Sequence, residues 1–156
     1  MSTSLSGTSA AQVSQILAAA AGSAQLGATP EPHPELNGLL LQLPGNPKVY
    51  LVINGFRCWV PNPDTFNNLF VPGATVTPDI NIGVVSEGPA LSDGAVLAKS
   101  TTADPVYLVS NGVKRWIPSQ EIFDRYQFNG LKIQIITPVI MDSVPSGSNI
   151  EGPSPV

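Results

Sequence analysis

The chain is 156 residues long and carries seven Lys plus Arg against eleven Asp plus Glu, a formal charge of −4 with only 12% of positions charged. An acidic chain with so few and scattered basic residues has no electrostatic footprint for a phosphate backbone, which argues against a nucleic-acid partner, and no apolar run approaches the roughly 18 residues of a membrane span. One cysteine, Cys58, and one histidine, His33, exclude an internal disulfide and a His-built metal cluster.

Residues 1–8 are rich in Ser, Thr and Gly, and Ser9 to Ala21 then reads as an Ala-rich helix with Ser9 as N-cap and Gly22 as stop. Its apolar stripe of Val13, Ile16, Leu17 and Ala20 predicts one face packed against something. The first basic residue is Lys48, so the N-terminus lacks the positive region of a secretory signal. Thr29 to Glu35 alternates proline with other residues and predicts an extended linker, because a residue before proline is pushed out of the helical region. A strand over Leu39 to Leu43 follows. Asn54-Gly55, flanked by β-branched and aromatic runs, is the signature of a type I′ hairpin turn, in which both central residues need positive φ. After Pro61 the chain turns into a short helix capped by Asn62 with Pro63 at its first position, and Ala74 to Thr77 supplies another strand. The same succession returns with Ala95 to Leu97, the Asn111-Gly112 hairpin, a helix capped by Ser119 with Glu121 in its first turn, and Leu131 to Ile136. Pro145 to Val156 is read from its Ser, Pro and Gly content as a loose tail.

That succession is a repeat. Val49 to Phe66 returns 57 residues later as Val106 to Phe123, with nine of eighteen positions identical. Fainter echoes bracket each copy. Leu36-Asn37-Gly38, Leu91-Ser92-Asp93-Gly94 and Ile150-Glu151-Gly152 recur, and Val85, Gly88 and Leu91 share their spacing with Val144, Gly147 and Ile150. The predicted organisation is an N-terminal helix and linker over 1–35, units over 36–90 and 91–149, and a tail over 150–156. The fold class is mainly β with short helices, two tandem hairpin-plus-helix repeats in a pseudo-twofold arrangement. Two copies leave open sheet edges, so the units either close onto each other or the chain forms a homo-oligomer.

With a two-residue loop, one face of each hairpin carries Tyr50, Val52, Arg57 and Trp59, or Tyr107, Val109, Lys114 and Trp116. The other carries Val49, Leu51, Ile53, Phe56, Cys58 and Val60, with Arg115 at the Cys58 position of the second copy. A buried face accepts Cys but seldom Arg, so either face can be the core one. An aromatic pair beside a cation and a carboxylate suits a sugar ring, which needs a flat apolar surface and polar partners for its hydroxyls. The candidate ligand-binding residues are therefore Tyr50, Arg57, Trp59 and Asp64, with Tyr107, Lys114, Trp116 and Glu121. Aromatics kept in both copies of a small repeat are more often packing residues than binding ones. Catalysis has little support, because the single histidine lies in the Pro-rich stretch and Asp64 and Glu121 are explained by their helix N-termini. No cofactor or metal is implied.

The string V-Y-L-V-x-N-G-x-K/R-x-W-V/I-P-N/S, followed by an acidic position and Phe, resembles a tandem repeat of bacterial secreted and cell-wall-associated proteins, often placed beside peptidoglycan-active or surface domains. The likeness covers roughly residues 36–150. Lys114 to Ser119 match its usual form, whereas Cys58 stands where that form has a second basic residue. The resemblance implies a non-catalytic accessory module in an extracellular or cell-surface setting. The expected function is lectin-like binding of a glycan or cell-wall polymer, with a structural or protein–protein interaction module as the alternative.

Overall fold

The computed structural model describes residues 29–155, and the predicted helix Ser9 to Ala21 lies outside the described residues. Among them the chain is mainly β, with two four-stranded sheets and three short α-helices. Strands β1 (Leu40–Gln42), β2 (Val49–Ile53) and β3 (Phe56–Val60) are followed by helix α1 (Pro63–Leu69) and β4 (Val76–Pro78). Then come β5 (Val96–Ser100), β6 (Val106–Ser110), β7 (Val113–Ile117), helix α2 (Gln120–Arg125), β8 (Gln134–Ile136) and helix α3 (Pro138–Ser143).

The sheets have the same order, β3-β2-β1-β4 and β7-β6-β5-β8. In each, the first strand runs antiparallel to the hairpin and parallel to the last strand. Leu40 pairs with Leu51 and Leu97 with Leu108, so the offset of the sequence repeat carries one ladder onto the other. The hairpin turns are as the Asn-Gly pairs predict: φ is 50° and 91° at Asn54 and Gly55, and 55° and 75° at Asn111 and Gly112.

The faint echoes have structural work in both copies. The residue after the first Leu braces the turn: Asn37 Oδ1 accepts from the Gly55 N–H at 2.6 Å, and Ser92 Oγ accepts from the Asn111 N–H at 2.9 Å. Leu36 and Leu91 beside them are buried. The later echo covers the hairpin's outer edge. Arg57 N–H donates to Ser86 O at 2.9 Å while Gly88 N–H donates to Arg57 O at 3.0 Å. Lys114 makes the matching pair with Pro145 O and Gly147 N–H, each at 2.8 Å. This close approach needs glycine, since a Cβ on Gly88 would lie 2.9 Å from Phe56 Cβ and one on Gly147 would lie 3.1 Å from Val113 Cγ2.

The chain sorts into two compact units, one made from the described parts of Met1–Trp59, Thr75–Pro89 and Gly152–Val156, the other from Val60–Ala74 and Ala90–Glu151. The predicted boundaries at 36–90 and 91–149 therefore do not follow the packing, because helix α1 of the first repeat joins the sheet of the second. Thr65 Oγ1 accepts from Gly94 N–H at 2.9 Å, Asn62 Nδ2 donates to Asp93 Oδ1 at 2.8 Å, and Asn68 Nδ2 donates to Ala95 O at 3.3 Å. The end of α1 also enters a ring cluster: Phe70 lies 4.8 Å from Phe66 and 5.8 Å from Phe128, which in turn meets Phe123 at 5.7 Å and Tyr126 at 5.4 Å. Such offset and tilted pairs add to the burial of apolar area. Arg125, buried in this unit, has its guanidinium pushed below its ordinary value by desolvation, with Tyr126 acting in the opposite sense.

The stretch read as an extended linker and the segment read as a loose tail are both hydrogen-bonded to their units. In the first unit Glu31 bridges Val85, and His33 N–H donates to Gly55 O at 2.8 Å, so Thr29 to Glu35 is a lining of the sheet rather than a free linker. Asn37 Nδ2 donates to Gly152 O at 3.1 Å and Ser154 N–H to Pro34 O at 3.1 Å. In the second unit Ile150 is fully buried, with its N–H donating to Trp116 O at 2.8 Å, and Tyr126 Oη donates to Glu151 O at 2.6 Å. Composition suggested a tail; backbone hydrogen bonds to sheet edges hold it.

Two stability experiments follow from this packing. A Cβ on Gly55 would meet Pro32 Cβ at 3.0 Å and His33 N at 3.3 Å, whereas one on Gly112 meets nothing within 4 Å. Gly112→Ala should cost about 1–2 kcal/mol from positive φ alone, and Gly55→Ala at least about 1 kcal/mol more, read from urea melts. Equal losses would show that the Pro32 contact is unimportant. A chain starting at Leu36 should be less stable by about 2–3 kcal/mol than one starting at Thr29, because it lacks the Glu31 and His33 backbone bonds.

Candidate functional site

In the first unit the Tyr–Trp face of the hairpin is covered. Tyr50 and Val52 are buried in a cluster with Leu36, Leu41, Ile82 and Val85, and Trp59 packs against it, partly buried. The Arg57 guanidinium lies 4.9 Å from the centre of the Tyr50 ring, and its Nε donates to Val85 O at 2.9 Å. Glu87 Oε1 is 4.0 Å from Arg57 Nη2. The outer part of Trp59 is also occupied, since the Lys48 ammonium stands 4.9 Å from the centre of its ring.

The second unit repeats half of this. Tyr107 is the cross-strand partner of Trp116, as the two-residue turn predicts. Lys114 Nζ lies 5.3 Å from the centre of the Tyr107 ring and donates to Met141 O at 2.7 Å. In both copies, then, the cation after the Asn-Gly turn sits over the repeat's Tyr and holds a carbonyl of the segment that covers it. Tyr50 is part of the core cluster, whereas Tyr107 is half-buried beneath Lys114.

On the opposite face Phe56 is 38% exposed at the turn end of the first hairpin and Val49 is half-buried, while the positions between are core. Leu51, Ile53, Cys58 and Val60 are buried, as are Leu108 and Ile117. Arg115 on that face escapes burial by donating from Nε to Ser148 O at 2.8 Å, with Nη2 3.4 Å from Ser148 Oγ. The first hairpin thus has buried residues on both of its faces.

Trp116 departs from its counterpart. It is 40% exposed, although it occupies the position of the partly buried Trp59. A cleft of about 310 Å³ opens beside it, lined by Asp104, Pro105, Pro118, Ser119 and Gln120 together with the Trp116 ring. Of the residues predicted for the second copy only Trp116 lines it: Tyr107, Lys114 and Glu121 are absent from the lining, Glu121 being exposed in the first turn of α2 as Asp64 is in the first turn of α1. Asp64 sorts into the second unit, whereas Tyr50, Arg57 and Trp59 sort into the first.

The sequence reading missed Lys48, Asp104, Pro105 and Gln120. A signal for them exists. Immediately before the most faithful stretch of the repeat, Pro47-Lys48 in one copy is replaced by Asp104-Pro105 in the other, and that break decides whether the Trp face carries the chain's own cation. No group of three or more His, Cys, Asp and Glu among the described residues could hold a metal ion. No family model matches the chain, and neither the curated proteins nor the solved structures provide a match.

The two tryptophans should part company on truncation. Trp59→Ala removes a ring packed on the core cluster and is expected to cost about 2–4 kcal/mol, while Trp116→Ala should stay within about 1 kcal/mol of the parent in chemical denaturation. Similar losses at both positions would make Trp116 a core residue in solution.

Proposed function

We propose that this protein is a non-catalytic, lectin-like module that binds a glycan or cell-wall polymer through the Trp116 cleft of its second unit. The observation that carries the reading is an exposed indole beside a cleft whose other walls include a carboxylate, a hydroxyl and a carboxamide, from Asp104, Ser119 and Gln120. A pyranose offers the complementary surface, with axial C–H bonds on its flat side and hydroxyls around its rim. The likeness of the repeat to modules of surface and cell-wall proteins supports the same reading. The titratable nucleophile candidates have structural surroundings: Cys58 is buried with Sγ 3.6 Å from Phe56 O, and His33 Nδ1 contacts Glu35 Oε2 at 2.8 Å.

On this reading the site belongs to the second repeat and has no counterpart at Trp59. Because Lys48 covers Trp59, avidity would have to come from several chains rather than from the two repeats of one. Trp116→Ala should lower retention on immobilised glycan or cell-wall material at least about tenfold with an unchanged melting temperature, and Trp59→Phe should leave retention intact. Loss of binding only in Trp59 variants would overturn the assignment.

A protein-interaction reading has one observation in its favour. In the second unit Leu131 and Val139 are 95% and 80% exposed, and Ile135 on edge strand β8 is 58% exposed. The same ladder position on β4 holds Pro78, which cannot donate to a further strand, so only β8 presents an unblocked apolar edge. Under that reading Ile135→Lys, and not Trp116→Ala, should remove the partner contact.

A further inference from the structure

We infer that the Trp116 cleft selects an ammonium group, so that its glycan ligand carries free amino sugars. This rests on the glycan reading above and refines it. The repeat contains its own stand-in for the ligand: at the Trp of the first copy, the ammonium of Lys48 stands over the partly buried ring, 4.9 Å from its centre. The face of an indole attracts a cation through its quadrupole, and a primary ammonium is the group the fold has placed there. In the second copy, the position equivalent to Lys48 is Pro105, which brings no charge, and the position equivalent to Pro47 is Asp104. Both line the cleft beside Trp116, where Asp104 is the only ionisable side chain among the described lining residues.

At the two positions ahead of the hairpin the second copy has no cation and has a carboxylate that lines the same cleft as Trp116. A cleft with one carboxylate, one open indole and no cation in its lining complements a positive group and repels uronic acids and phosphate-bearing polymers. The formal charge of −4 acts in the same direction over longer range. A sugar amine satisfies the three requirements together: its charge for Asp104, its ring face for the indole, and its neighbouring hydroxyls for Ser119 and Gln120.

The test is calorimetric titration of the full chain with the tetramer of glucosamine and with the tetramer of N-acetylglucosamine, below neutral pH where the free amine is charged. Lysine tetrapeptide serves as a second ammonium source. The glucosamine tetramer should bind best, and Asp104→Asn, which keeps shape and removes charge, should weaken it about five- to tenfold without moving the melting temperature. Trp116→Ala should abolish it, which separates cleft binding from a general attraction between a cationic oligomer and an acidic protein. If the acetylated tetramer binds as tightly and Asp104→Asn changes neither, the ammonium selectivity is wrong and the glycan reading survives. Failure of both sugars overturns both. Preference for lysine tetrapeptide, lost in Asp104→Asn, would overturn the amino-sugar assignment in favour of a protein ligand.

Discussion

Everything in these two small sheets depends on covering the outer edge of a hairpin. A three- or four-stranded sheet of short strands cannot leave a row of N–H and C=O groups open and remain a well-behaved monomeric surface. Here the chain returns to pair both backbone groups of one residue, Arg57 in the first unit and Lys114 in the second. That single two-bond contact requires a glycine opposite it, which explains Gly88 and Gly147, and it turns the residue's long cationic side chain back over the Tyr of the neighbouring strand. The cation then holds a carbonyl of the covering segment, Val85 in one copy and Met141 in the other. Edge, glycine, cation and Tyr are one device, which is why they travel together in the repeat.

The device also explains why the two Trp residues can diverge. They lie beyond the Tyr–cation pair, outside the contact that the edge imposes, so their surroundings are free to change. One packs on a core cluster and is topped by Lys48, while the other borders a cleft with Asp104. The two frames are alike, and ahead of the hairpin they differ at two positions, Pro47-Lys48 in one and Asp104-Pro105 in the other.

The sorting of α1 into the second unit bears on cooperativity. Its caps and amide side chains satisfy the Asp93-Gly94-Ala95 segment, and its Phe70 completes the ring cluster around Phe128. The second unit thus draws on a segment of the first repeat, and the first unit draws on Gly152–Val156 from beyond the second. Neither repeat contains all of its own packing, so a cut at the sequence boundary near residue 90 would divide both.

Much of the architecture is legible in the sequence because it is set by local chemistry. Asn54-Gly55 and Asn111-Gly112 specify turns by their backbone preferences, Asn62 and Ser119 specify helix starts by capping, and the 57-residue offset transfers every strand from one copy to the other. What composition misjudged were the Pro-rich stretch before Leu36 and the segment after Pro145, because hydrogen bonding to a sheet edge requires no hydrophobic pattern. The faces of the hairpin were legible as faces, but period-two alternation does not say which side another layer will cover. That was decided by Leu36, Ile82 and Val85 arriving over Tyr50, and by Arg115 finding Ser148 at the rim of its sheet. Likewise the sequence named Trp59 and Trp116 as equivalents, and only tertiary structure separated them, since exposure depends on what the rest of the chain sets beside a ring and not on the ring's place in a repeat.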